Sequence, residues 1–164
     1  TEDKDDSFSG RLKDRKIRYE PEVVITNKEF TQNFEENTVR FVVIAKSMHD
    51  EGEYLIACAA TRKIDFPANE SVSVFGDAFF LTEYEYNSSS GTNYDFAYGF
   101  EKDDYVIVVQ NRDGEITHTR ASSKGFLNHM ENVMKCKTGE MYSEDLEYRL
   151  NTIPDPDYFS SSKR

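Results

Sequence analysis

The chain has 164 residues, 37% of them hydrophobic, and its 31 acidic and 20 basic side chains give a formal net charge of -11. This length is typical of one domain that closes a single core without metals or several disulfides. The charge argues against nucleic acid and anionic membrane as partners, because phosphate binding relies on clustered Lys and Arg, and it favours a basic partner. We expect membrane association only through a segment absent from this chain.

Charge dominates the start of the chain, where Phe8 and Leu12 are the only large apolar residues before Ile17. We therefore expect residues 1–16 to be a charged N-terminal arm, because such a composition rarely folds alone. Residues 17–153 are predicted to be a single α+β domain. Residues 154–164 begin at Pro154 and are predicted to be a flexible tail.

The first half of the domain predicts three strands and one short helix. Val23 and Ile25 belong to a first strand over 17–26, with Pro21 at its edge or start. Phe30 and Phe34 are four residues apart, which predicts a short helix that presents both rings to the core. The apolar runs 39–45 and 54–64 predict a hairpin.

The stretch 72–119 has the clearest pattern, a row of short aromatic-rich strands broken by turns. Apolar and polar residues alternate in several of its segments, which is typical of half-buried strands, and Asp113-Gly114 supplies the left-handed residues of a tight hairpin turn. An antiparallel sheet follows from this pattern. The predicted strands are 72–77, 78–86, 94–100, 105–109 and 116–119.

A helix is predicted after the sheet, capped by Ser122 or Ser123, because apolar residues recur there at three- and four-residue spacing. Ser143 is expected to cap a shorter second helix. The predicted fold is α+β: a curved antiparallel sheet or open β-barrel with one main C-terminal helix packed on it.

Cys58 and Cys136 are the only cysteines, one in a predicted strand and one at the end of the predicted helix. We expect them to form a disulfide, which would stabilise the fold by roughly 4 kcal/mol in the chain-entropy model. A disulfide favours a periplasmic or secreted protein, as a mature chain or ectodomain. Two free thiols in a cytoplasmic protein are the alternative.

The histidines and nucleophiles do not form a recognisable catalytic or metal-binding pattern. No two histidines are spaced as metal ligands on one face, so we expect neither a metal nor another cofactor. His118 and His129 are possible pH-sensing groups, since histidine alone among side chains titrates near neutral pH when unperturbed. No serine lies in a Gly-x-Ser-x-Gly elbow.

The aromatic strands are the strongest candidate site. Tyrosines have an apolar ring and a polar tip, which suits the rim of a cavity or a protein contact. We therefore expect a non-enzymatic, extracytoplasmic binding or regulatory module that holds a partner protein or an apolar small ligand on its sheet. The residues expected to bind are Tyr84, Tyr86, Tyr94, Phe96, Tyr98, Glu83 and Glu85.

Two other functions remain open from the sequence. An acidic inhibitor or immunity-type protein would block a basic enzyme with carboxylates such as Glu83, Glu85, Asp103 and Asp104, and its binding would be sensitive to salt. A small α+β hydrolase or isomerase would instead assemble His118, His129 and a carboxylate in one pocket.

Overall fold

The structure is a computed structural model and describes residues 2–5, 10–88 and 96–161. Strands account for 55% of it, so the fold is dominated by β-sheet. In the described residues the strands are β1 (Glu2–Asp5), β2 (Gly10–Tyr19), β3 (Glu22–Thr26), β4 (Phe34–Ser47), β5 (Tyr54–Phe66), β6 (Ser71–Phe75), β7 (Phe79–Ser88), β8 (Phe96–Gln110), β9 (Ile116–Ala121), β10 (Met141–Tyr142) and β11 (Phe159–Ser161).

Nine strands form one large antiparallel sheet. Its order is β1-β2-β7-β8-β4-β5-β10, with β11 paired to β7 and β9 paired to β8. Strands β3 and β6 form a separate two-stranded ribbon. The sheet is open and does not close into a barrel. The predicted antiparallel sheet is therefore confirmed, as an open sheet.

Strand β8 joins two predicted strands into one. Its first residues pair with β7, where Phe96 lies opposite Tyr86, and from Phe100 onward it pairs with β4. The acidic pair Asp103-Asp104 marks a change of register against β4. A β-bulge accommodates an extra residue without ending the strand, which is why charged residues here interrupt the apolar pattern but not the pairing.

Alternation along β4 gives the sheet a core on each face. Phe41 and Val43 are buried on one face, and Val42 and Ile44 on the other. Successive side chains of a strand point to opposite faces, so the continuous apolar run in this strand requires both faces to be covered.

One face is covered by the predicted helix, which is shorter than expected. A 3-10 turn, Lys124–His129, leads directly into helix α1, Met130–Lys135. Phe126 and Val133 pack from these elements against the sheet residues Val42 and Val106. The predicted second helix is only a 3-10 turn, Glu144–Leu146, after Ser143.

The predicted helix around Phe30 and Phe34 is wrong. Phe30 lies in a loop with 80% of its surface exposed, and Phe34 is the first residue of β4. Asn27 holds this loop instead, since its Nδ2 donates hydrogen bonds to the carbonyl oxygens of Gln32 and Phe66. Loop-organising side-chain bonds of this kind compete with local helix formation.

Both ends of the chain contribute strands to the large sheet. Residues 10–16 of the expected arm belong to β2, which pairs along its length with β7. The expected tail contains β11, which pairs with the other edge of β7, and its Tyr158 and Phe159 pack on the core. No helix in residues 2–5, 10–88 and 96–161 is long and apolar enough to span a membrane.

Candidate functional site

An open cleft of about 1270 Å³ lies between the β3–β6 ribbon and the large sheet. It lies on the face of the sheet opposite α1. Ligand sites are usually concave, largely apolar and few in number, so a cleft of this size and lining is the first candidate for a binding site.

The floor of the cleft comes from alternate residues of the central strands. Phe41 and Val43 of β4 lie beside Ile107 and Tyr105 of β8, which are their partners in register. The opposite positions of the same strands pack against α1. In the continuous apolar run of β8, alternate side chains therefore pack against α1, and the side chains between them line the cleft.

The ribbon forms the opposite wall because Pro21 separates β3 from β2. Val23 and Ile25 of β3 are partly buried and pack towards the core beneath the ribbon, while Val24 between them is 60% exposed. Proline lacks the N–H that would continue the ladder, which allows the chain to leave the sheet at this point. At Gly76 the chain passes from the ribbon back to the sheet. A Cβ at this position would lie 2.9 Å from Cys58 Sγ, which is too close without a shift of that side chain.

Tyr19 closes one end of the cleft. Its ring stacks on Phe79 with the ring centres 5.2 Å apart, and both residues line the cleft. Burial, followed by the nearby carboxylate of Glu83, raises the pKa of Tyr19. A neutral phenol in this position adds an apolar ring and a single hydroxyl to the wall.

Asn37 lies at another part of the cleft wall and is 5% exposed. Its Nδ2 is buried and has no hydrogen-bond partner among the described residues. A buried donor without an acceptor costs free energy, so this carboxamide is a local defect in an otherwise satisfied core.

The predicted aromatic site is brought together only in part. Tyr84 and Tyr98 lie opposite each other on β7 and β8. The ring of Tyr158 meets Tyr84 edge-on at 5.6 Å, and His49 stacks on Tyr98 at 4.2 Å. The chain's own side chains therefore contact both tyrosines, which form a row of packed rings.

The remaining predicted aromatic residues add little to this picture. Tyr86 lies between Leu12 of β2 and Phe96 of β8 in the register of the sheet. Tyr94 lies outside the described residues. The pKa of Tyr84 is raised, first by burial and then by the carboxylate of Asp14, which is its partner on β2.

The predicted acidic residues lie on two strands, Glu83 and Glu85 on β7 and Asp103 and Asp104 on β8. Glu83 lies opposite Arg15 on β2; burial raises the pKa of Glu83, and Arg15 partly offsets this. Glu85 is exposed on the same strand. Asp104 accepts a hydrogen bond from Ser122 Oγ at 2.6 Å, and the side chain of Asp103 lies outside the description.

The predicted disulfide is wrong. Both cysteines are free and buried. Cys58 packs with Phe41 on the cleft face of the sheet, whereas Cys136 follows α1 and packs with Val42 on the opposite face. A bridge requires Cα atoms within about 7 Å and converging side chains, which the intervening sheet prevents.

The two histidines that the hydrolase or isomerase alternative would bring into one pocket are separated by the sheet. His118 is exposed on β9 and lines the cleft. His129 lies where the 3-10 turn meets α1, on the other side. Within the described ranges, no group of three or more His, Cys, Asp or Glu side chains could hold a metal ion.

Comparison with known proteins identifies no relative. No protein-family model matches the chain, and no curated protein and no solved structure is significantly similar to it. The functional argument therefore depends on the geometry of the cleft.

Sequence reasoning missed the cleft because its walls come from distant segments. Tyr19, Ile25, Phe41 and Ile107 look like ordinary strand residues, and only the ribbon's departure at Pro21 places them around one space. That proline was the available signal, since it divides an apparently continuous strand in two.

Proposed function

We propose that this protein is a non-enzymatic module that binds an apolar small molecule in the cleft between the β3–β6 ribbon and the large sheet. The observation that carries the proposal is the cleft itself, about 1270 Å³ in volume and with a lining surface that is mostly apolar. Aromatic and aliphatic walls with few polar groups are the usual lining of small-molecule sites.

The aromatic row is a weaker candidate than the cleft. Tyr84 and Tyr98 already contact Tyr158 and His49, so a ligand would have to displace packed rings. Binding in the cleft displaces only water. The two free thiols also remove the reason for expecting a periplasmic or secreted protein, and ligand binding in the cleft does not depend on the compartment.

The test is titration with N-phenyl-1-naphthylamine, a neutral probe whose fluorescence rises in apolar surroundings. The chain contains no Trp, so tryptophan emission does not interfere. We expect saturable binding of one probe per chain. The affinity should persist in about 1 M salt, where charge interactions are screened beyond about 3 Å but apolar burial is not.

Variants locate the binding site. Tyr105→Ala removes a half-buried ring from the floor of the cleft and should weaken probe binding roughly three- to tenfold. The matched control is Tyr148→Ala, because Tyr148 is 59% exposed and lies outside the cleft. Ile25→Ala in the opposite wall should act like Tyr105→Ala and serves if that variant does not fold.

Two outcomes would overturn the proposal. One is the absence of saturable probe binding to the folded protein. The other is equal loss of affinity in Tyr105→Ala and Tyr148→Ala, which would place the probe elsewhere.

A further inference from the structure

The charged residues around the cleft are sorted by side, with one exception. Glu20, Glu22 and Glu29 lie along the segment that contains the ribbon strand β3, together with the cation Lys28, whereas Lys102, His118 and Arg120 lie along β8 and β9. The cleft therefore has an acidic wall and a basic wall, and the basic one stands out in a chain with net charge -11.

The register of the sheet directs the basic side chains of β9 to the cleft. Arg120 lies opposite Ile107 on β8, and His118 lies opposite Val109. Partners in register project to the same face of a sheet, and Ile107 and Val109 both line the cleft. Arg120 thus emerges beside the apolar floor.

Lys102 reaches the same cleft from further along β8. It lies three residues before Tyr105, beyond the change of register near Asp104, and both line the cleft. Lys102 and Arg120 therefore flank Tyr105 along the direction of the strand. All three residues line the cleft.

Neither cation is neutralised by the described part of the chain. Lys102 and Arg120 form no ion pair and donate no hydrogen bond to any described residue, whereas Arg18, Arg62, Arg112 and Arg149 each pair with a carboxylate. On the acidic wall, Glu20 is already paired with Arg18. Glu22 and Glu29 likewise form no ion pair with a described residue, so the two cations are distinguished by their position beside the apolar floor of the cleft.

We infer that the molecule bound in the cleft is an amphipathic anion, whose charged head lies between Lys102 and Arg120 and whose hydrocarbon part covers Ile107, Val43 and Phe41. This inference rests on the proposed function and names its ligand class. An anion at the edge of an apolar site gains charge-assisted hydrogen bonds, while its chain gains by leaving water. A neutral molecule would leave both cations unpaired.

The experiment measures displacement of N-phenyl-1-naphthylamine by dodecanoate and by dodecan-1-ol at monomeric concentrations. The two competitors have the same carbon chain and differ in the charge of the head. We expect dodecanoate to compete about tenfold more strongly, the effect of one charge-assisted hydrogen bond. In Lys102→Gln/Arg120→Gln this advantage should disappear, with the competition by each compound calculated from the probe affinity measured for the same variant.

A matched double variant controls for overall charge. Lys63→Gln/Lys124→Gln changes the net charge by the same amount at exposed positions outside the cleft. It should keep the preference for dodecanoate. Equal competition by the acid and the alcohol in the unmodified protein, or a preference that survives in Lys102→Gln/Arg120→Gln, would overturn the inference. Failure of the probe to bind would overturn the proposed function itself.

Discussion

Arg40 reaches from the middle of β4 to Cys136 and closes the end of α1. Its Nη2 donates to the carbonyl oxygen of Cys136, and its Nε donates to that of Val133 at 3.0 Å. The residue is only 8% exposed. The last carbonyls of a helix lack partners within the helix and carry partial negative charge, so a cation satisfies both needs.

Arg40→Met should lower the free energy of unfolding by about 2 to 3 kcal/mol, because it leaves buried carbonyl oxygens without donors. The control is Arg62→Met, which removes a half-exposed ion pair with Asp77 at 3.3 Å and should cost less than about 1 kcal/mol. Urea unfolding followed by circular dichroism measures both. Similar losses for the two variants would mean that Arg40 does not hold α1.

The sequence predicts the sheet well because its signals are local. Alternation and turn residues locate most strands, and Gly114 adopts the left-handed conformation expected of the turn before β9. The helix is also found in the right place, since Phe126 and Val133 recur at helical spacing. Its last carbonyls accept hydrogen bonds from Arg40, a residue about ninety positions away, and no local pattern contains that contact.

The parts that the sequence did not predict depend on tertiary contacts. Residues 10–16 carry too much charge to look like a strand, yet they form one because β7 offers a free edge along its length. The pairing of Arg15 with Glu83 across these strands places opposite charges together. Separation of Cys58 from Cys136 likewise depends on which face each occupies, which spacing along the chain does not reveal.

Asn132 and Asn37 are both buried but differ in their hydrogen bonds. Asn132 Nδ2 donates to the carbonyl oxygens of Leu146 at 2.6 Å and Glu147 at 3.0 Å, whereas Asn37 Nδ2 has no described partner. Asn132→Leu should therefore cost about 2 to 3 kcal/mol by orphaning two carbonyls, while Asn37→Leu should change stability by less than about 1 kcal/mol. Thermal and urea unfolding give both values; a larger loss for Asn37→Leu would show that its amide is satisfied in solution.

Gly99 and Gly114 both have positive φ but differ in their surroundings. A Cβ at Gly99 would lie 1.9 Å from the carbonyl oxygen of Thr82, while one at Gly114 would meet nothing within 4 Å. Gly114→Ala should cost about 1 kcal/mol from backbone strain alone. Gly99→Ala should cost about 3 kcal/mol or more, because overpacking adds to the strain. Equal midpoints of urea unfolding for the two variants would contradict this.

Burial in the folded protein, and not a disulfide, should protect the two thiols from alkylation. Cys58 and Cys136 are buried and free, and burial raises the pKa of each thiol. Because the thiolate is the reactive form, iodoacetamide should modify neither residue in the native protein near pH 7. After unfolding in urea without a reductant, mass spectrometry should find both alkylated. A requirement for reductant would demonstrate a disulfide and restore the argument for a secreted protein.

Alkaline pH should destabilise the fold through Cys136. Burial raises the pKa of its thiol to about 11, although Arg40 acts in the opposite direction. The folded state holds this proton more tightly than the unfolded chain, whose thiol titrates near pH 8.5. The stabilisation is thus fully present below about pH 8.5 and is lost as the pH rises towards 11, by roughly 3 kcal/mol in total.

Tyr142 should extend this loss to higher pH, since burial and then Glu140 raise the pKa of its hydroxyl to about 12. Urea unfolding at a series of pH values between about 8 and 11 measures the decline, because an ordinary thiol ionises within this range while the buried thiol keeps its proton. In Cys136→Ala the protein should start less stable, because the side chain fills part of the core, but should decline less steeply. An unchanged slope in Cys136→Ala would assign the alkaline loss to other groups, and Tyr142→Phe would then identify the contribution of the phenol.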